Sequence, residues 1–340
     1  MNGTVIEIGA AEAAQLLSQT FPGMMYEWGI EVIRVIQKVQ TPFFTAVMKF
    51  VSALGTEALY VPLILFIFWW IDEKRGLRFV ILIIFTAWIN GFMKDLLKQP
   101  RPFNLDTSLG LAFEPTYGAP SGHAQMSLCF WIPMAAWLEK KWPRRAVWAA
   151  AVSFVLLIGF TRLYLGVHFP TDLFAGWILG GIILFIFFVS SPFIEKLFAS
   201  GGFRLQNITA AVIALSMNGL YPRDRIYPAL FLGFCLGYTL MKQRFPFHAR
   251  GEINGKKPGA QVMILRCLTG FAGMVIVFVT LRFIFPGEES LFSDIPFWGK
   301  ASPFYDMGRF IRYGLLGFWA SAGVPRLFQR MGLASSESPK

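Results

Sequence analysis

Charge, histidine and cysteine are all scarce in this 340-residue chain. Asp, Glu, Lys and Arg make up 15% of it, against roughly 25% in an ordinary soluble protein. With 55% hydrophobic residues and a mean hydropathy of +0.53, that deficit argues against a soluble all-helical core. The three cysteines, Cys129, Cys235 and Cys267, lie inside apolar runs and read as packing residues, so neither a disulfide framework nor a metal cluster is expected. Acidic residues are outnumbered 20 to 31, a net charge of +11. In so apolar a chain that excess belongs to cytoplasmic loops, and no nucleic-acid partner is expected. The start of the chain lacks a basic region and a small-residue cleavage pattern and carries Glu7 and Glu12. It is therefore expected to be retained, with the first span acting as an uncleaved signal.

What is abundant is long apolar sequence: 61–71, 79–89, 147–160 and 173–189 are nearly free of charge. Runs of this kind predict an all-α polytopic membrane bundle. Spans are expected near 57–72, 77–97, 122–138, 145–163, 171–190, 205–220, 225–241, 261–285 and 305–323, about nine in all. Ahead of them, 26–52 mixes Ile30, Ile33 and Ile36 with Arg34, Lys38 and Lys49, which predicts one or two amphipathic interfacial helices, a weak first span being the alternative. The chain divides accordingly into an amphipathic segment (1–54), a core (55–192), additional membrane helices (193–325) and a tail (326–340). Nine spans put Lys74, Arg75 and Arg78, then Lys140, Lys141, Arg144 and Arg145, then Lys196, Arg204 and the basic 242–257 loop on one side. The acidic 287–294 loop falls on the other. The positive-inside bias makes the first side cytoplasmic and turns the 98–121 and 164–170 loops outward.

Two of the three histidines sit on that outward side, each near an arginine and a helix start. In MKDLLKQPRPF (93–103), Pro100 and Pro102 end the span, leaving Lys94 in its last turns and Arg101 just beyond. Lys94 alone could equally complement the helix dipole or snorkel. In GAPSGHAQ, Ser121 is an N-cap candidate, Gly122 admits close approach to the backbone, and His123 stands beside amides suited to an anion. A plain capped helix is the alternative. In RLYLGVHFPTD, Asp172 follows His168 by four residues, where it could fix the imidazole tautomer and leave the other nitrogen basic. The alternative is an Arg162–Asp172 ion pair with His168 incidental. Three cations and a helix N-terminus at one membrane depth imply a multiply charged anion, most naturally phosphate.

In order, K-x6-R-P (Lys94–Pro102), P-S-G-H (Pro120–His123) and R-x5-H-x3-D (Arg162–Asp172) resemble the three-part signature of the type 2 phosphatidic acid phosphatase superfamily. That superfamily embraces lipid phosphate, undecaprenyl pyrophosphate and sphingosine-phosphate phosphatases, glucose-6-phosphatase and vanadium haloperoxidases. The resemblance covers roughly 55–190; where the third motif ordinarily begins Ser-Arg, this chain has Thr161–Arg162. It implies that His168 is the nucleophile, forming a phosphohistidine, that Asp172 orients it, and that His123 protonates the leaving oxygen and then activates water. Lys94, Arg101, Arg162, Ser121 and Gly122 would hold the phosphoryl oxygens. No metal and no cofactor are expected. The implied substrate is a lipid phosphate or isoprenoid pyrophosphate, met at the outer face of the membrane, with membrane lipids as partners and a homo-oligomer compatible. A bacterial cytoplasmic membrane is the expected location, an endoplasmic reticulum being compatible too. A soluble substrate such as a sugar phosphate, and an anionic-lipid transporter or flippase, are the competing readings. The helices after 192 match no motif, and neither does His248, which is expected to be solvated or to face lipid headgroups.

Overall fold

The computed structural model describes residues 21–253, 255–285 and 302–335. The residues ahead of Phe21 and the acidic 287–294 loop therefore lie outside the described residues. Among the described residues regular structure is helical, apart from one isolated bridge between Ile253 and Lys256. The chain forms two compact units: the described residues of Met1–Val61 with Ile89–Val189, and of Pro62–Trp88 with Ser190–Lys340.

The first unit contains α1 (Phe21–Gln37), α2 (Pro42–Ala53), the start of α3 (Glu57–Phe66) and the last turns of α4 (Glu73–Leu97). It continues with the single turn α5 (Pro102–Leu105), α6 (Gly122–Leu138), α7 (Arg144–Tyr164) and most of α8 (Pro170–Ser200). Thr41 caps α2 by accepting from the Phe44 amide at 3.1 Å, with Pro42 in the first turn, where a missing N–H costs nothing. Helix α7 stops at Gly166, whose φ of 65° suits glycine; a Cβ there would lie 1.9 Å from the Leu109 carbonyl oxygen. At 21 residues α7 is about 32 Å long, enough to cross a hydrocarbon core. Its first turn carries Arg144 and Arg145; its last carries Arg162. The basic turn and Arg162 therefore stand about a bilayer's thickness apart.

Helices α1 and α2 are built onto the loops between the core helices. Ile30 and Ile33 pack with Leu109 and Phe169, and Met48 packs with Tyr164, Leu165 and Val167. The Gln37 amide donates to the carbonyls of Leu109 (2.9 Å) and Tyr164 (2.8 Å). The amphipathic pattern is thus largely spent on protein: buried Ile33 faces Leu109 and Phe169, while Val35, Val39 and Phe43 remain exposed.

The second unit comprises the middle of the α3–α4 segment with α9 (Phe203–Leu220), α10 (Ile226–Arg244), α11 (Ala260–Ile284), α12 (Tyr305–Phe318) and α13 (Val324–Arg330). Small residues let α10 and α12 meet backbone to backbone: a Cβ on Gly233 would fall 1.8 Å from the Gly314 carbonyl oxygen, and one on Gly317 2.6 Å from that of Leu230. Two widened π turns, Ile67–Ile71 and Trp319–Gly323, are joined by the Trp69 indole donating to the Ala320 carbonyl at 2.9 Å. His248 is not simply solvated: its Nδ1 lies 3.1 Å from Glu73 Oε1, and the Ala249 amide donates to the other oxygen. Helix α11 turns Ile264, Leu268, Val275, Ile276 and Phe283 outward, an apolar face suited to lipid.

Each of the nine expected segments is helical. Among the described residues four helices are long and apolar enough to cross a membrane alone, Glu73–Leu105, Arg144–Tyr164, Pro170–Lys196 and Ala260–Ile284, and Pro42–Ala53 with Glu57–Ile71 make a fifth as a bent pair. The others fall short for identifiable reasons. Helix α6 has 17 residues, α10 ends in Lys242 and Arg244, and α12 carries Asp306, Arg309 and Arg312.

Candidate active site

All three motif segments meet in the first unit, where α4 and α7 end and α6 and α8 begin. Lys94, in the last turn of α4, donates from Nζ to the Tyr117 carbonyl (2.6 Å) and to Thr116 Oγ1 (3.3 Å). Arg101, buried, reaches the same loop: Nε donates to the Thr116 carbonyl (2.5 Å) and Nη2 to Thr116 Oγ1 (3.0 Å). Its Nη1 donates to the Val167 carbonyl (2.8 Å) and lies 3.3 Å from His168 Nε2. One guanidinium thus ties the 114–118 loop to the turn that carries His168.

His168 is fully buried, and its Nδ1 lies 3.2 Å from Asp172 Oδ2. The same oxygen accepts the Phe169 amide at 3.0 Å, so the carboxylate is held by its own helix start. An ionised carboxylate only accepts, which places the proton on Nδ1 and the lone pair on Nε2, toward Arg101. Burial, then the positive charges of Arg101, Lys94 and Arg162 and the neighbouring His123, push the His168 pKa well below the ordinary histidine value. The imidazole is therefore neutral at neutral pH. A neutral imidazole oriented by a carboxylate, with a basic nitrogen facing a seat for an anion, is equipped for nucleophilic attack.

Ser121 stands at the N-cap of α6, as its sequence position predicts, but its side chain makes no cap bond. Its amide donates to the Asp172 carbonyl at 2.9 Å, and its buried Oγ has no partner among the described residues; nor has the Nε of Arg162. Unused donors beside buried cations mark a place built for an acceptor. Gly122 is closely approached by Asn90: a Cβ would lie 3.0 Å from Asn90 Oδ1. Asn90 itself donates to Gln125 Oε1 (2.7 Å) and the Pro120 carbonyl (3.2 Å), fixing the loop ahead of α6 from behind. His123 is half-buried, its ring beside Gly55. Thr161, which stands where the motif ordinarily has serine, donates from Oγ1 to the Ile158 carbonyl at 2.6 Å.

Two participants escaped the sequence reading. Ser52, from α2, accepts from Arg162 Nη1 at 2.5 Å. Glu114 pairs with Arg162 Nη2 through one carboxylate oxygen and with Arg101 Nη2 at 2.8 Å through the other, which also lies 4.0 Å from His168 Nε2. A hint was there: Glu114 is the only acidic residue between Asp106 and Glu139, in the loop joining the first two motifs.

Known families extend the comparison beyond the site. A model described as the PAP2 superfamily matches residues 75–195, and one described as PAP2 superfamily phosphatase, transmembrane extension, matches 226–336. The human sphingosine-1-phosphate phosphatase 2 is 23% identical over 324 residues, 87% of this chain and 80% of that protein. An undecaprenyl-diphosphatase of Sulfolobus acidocaldarius is 29% identical over 162 residues, 47% of this chain and 76% of that one. A crystal structure of a transmembrane PAP2-type phosphatidylglycerolphosphate phosphatase from Bacillus subtilis is 26% identical over 54% of this chain and 90% of its own, with a TM-score of 0.44. The three motifs lie inside the first match and the later helices α10 to α13 inside the second, and on these two matches the chain belongs to the PAP2 superfamily of integral membrane phosphatases.

Proposed function

We propose that this enzyme hydrolyses a lipid phosphate monoester or an isoprenoid pyrophosphate through a phosphohistidine, without a metal, at the outer face of its membrane. The observation that carries the reading is the Asp172–His168 pair, which presents Nε2 to a seat between Arg101 and Arg162. In the first step Nε2 attacks phosphorus, the P–O bond to the leaving group breaks, and His123 gives that oxygen a proton. In the second, His123 takes a proton from water as it attacks the phosphoryl group, returning His168 and releasing phosphate. Lys94, Arg101, Arg162 and the Ser121–Gly122 start of α6 neutralise the equatorial oxygens, the task a metal ion would otherwise perform.

A lipid substrate is favoured by the rim of the seat. Phe113, next to Glu114, is 60% exposed and packs on Phe103, and Leu96 and Leu97 at the end of α4 are also exposed. Relatives named for a lipid phosphate and for an isoprenoid diphosphate agree with that class. The proposed topology keeps the nine spans of the sequence reading, with α6 short and the α2–α3 segment bent.

The test is phosphate release by the purified enzyme in detergent from long-chain phosphatidate, undecaprenyl pyrophosphate and glucose 6-phosphate. Release is expected from the first two, abolished by His168→Ala in protein that still purifies as a single species. Activity confined to the sugar phosphate, or persisting in the variant, would contradict the reading. Orthovanadate is expected to inhibit and EDTA to leave the rate unchanged.

A further inference from the structure

We propose that Glu114 is a resident anion of the phosphoryl seat and that its displacement sets which phosphates the enzyme admits. The proposal rests on the site reading above and concerns selectivity within it. The Glu114 carboxylate bridges the two buried arginines and comes within 4.0 Å of the nucleophilic nitrogen. This is where a phosphoryl group must lie for Nε2 to reach phosphorus while Arg101 and Arg162 hold its oxygens. Carboxylate and phosphoryl group cannot occupy the seat together, so substrate binding exchanges one anion for the other.

Charge makes the exchange selective. Lys94, Arg101 and Arg162 face two carboxylates, Asp172 and Glu114, which leaves one positive charge unbalanced with His168 neutral. A phosphomonoester dianion in place of Glu114 cancels that charge. A phosphodiester monoanion leaves it as it was, and it competes against a carboxylate that is already tethered and has no translational freedom to lose. Membrane phospholipids are phosphodiesters, present around this enzyme in vast excess over any terminal phosphate. A tethered monoanion excludes them while yielding to a dianion, which is discrimination by a built-in competitor.

The exchange is sterically available. Glu114 is a quarter exposed, whereas Arg101 and Arg162 are almost wholly buried. The backbone around it is pinned by Thr116 and Tyr117 to Arg101 and Lys94. The side chain can therefore rotate outward into water while the loop and the cations stay in place.

The experiment compares wild type with Glu114→Gln, and with Glu114→Ala as a second variant, in detergent micelles. It uses dioctanoyl phosphatidate as substrate and phosphatidylglycerol, a diester, as competitor. The account expects KM to fall several-fold in both variants, so that kcat/KM rises, and phosphatidylglycerol to inhibit them at least about tenfold more tightly than wild type. Orthovanadate should raise the melting temperature of each variant more than that of wild type, a readout independent of turnover. An unchanged or higher KM together with an unmoved diester inhibition constant would overturn the proposal, leaving Glu114 as a brace for the arginines. Absence of turnover by wild type on every phosphomonoester would instead overturn the functional reading itself.

Discussion

At the scale of single residues, the proposed mechanism depends on keeping one imidazole neutral inside a cluster of positive charge. Burial and three cations hold the His168 pKa well below its usual value of 6.5. Protonation removes the nucleophilic lone pair, so activity should persist as pH falls through the ordinary histidine range and fail only below it. A profile of kcat/KM against pH, which reports the free enzyme, should therefore show its acid limb below 6.5 once divided by the fraction of substrate present as the dianion; a limb at or above that value after this division would contradict the assignment. Ser52 offers a second residue-scale test. Ser52→Ala removes the partner of Arg162 Nη1 and should lower kcat/KM about tenfold, as expected for a lost hydrogen bond to a charged group, with little change in melting temperature. His168, Asp172, Lys94, Arg101, Ser121 and Arg162 were legible in the sequence because their spacing relative to helix ends already encodes a shared depth. Ser52 and Glu114 were not: nothing local marks a serine in an apolar helix as facing an arginine 110 residues away, and the isolation of Glu114 in its loop, the one available hint, does not name an arginine 48 residues away as its partner.

At the scale of elements, helix ends and small residues govern what is built. Prolines stop α4 and start α8, and Gly166 turns the chain between α7 and α8, so the motif residues gather where helices begin and end. Helix positions followed well from apolar runs: the expected 122–138 coincides with α6, and 145–163 differs from α7 by a residue at each end. The packing of α1 and α2 onto the 164–170 turn was not legible, since an amphipathic face has the same pattern whether it meets lipid or protein. In the second unit, Gly233→Ala should separate α10 from α12, because the added methyl overlaps the Gly314 carbonyl. Its melting temperature in detergent is expected to fall by about 5–10 °C; an unchanged value would show that the two helices do not meet as described.

At the scale of the whole molecule, the account joins a membrane sidedness to a reaction. The proposed sidedness turns the 98–121 and 164–170 loops outward and 140–145 inward; 140–145 and 164–170 lie at opposite ends of α7, which is long enough to cross the bilayer. A cysteine placed at exposed Thr107 should react with an impermeant maleimide from outside intact cells, and one at exposed Lys141 only after permeabilisation; the reverse pattern would invert the topology. The most direct measurement of the central claim is the configuration at phosphorus after hydrolysis of a phosphorothioate monoester, made chiral by sulfur and two oxygen isotopes, in water of the third oxygen isotope, which releases chiral thiophosphate. Attack by His168 followed by attack of water inverts phosphorus twice, so the account predicts overall retention. Net inversion would mean that water attacks the substrate directly and that His168 is not the nucleophile.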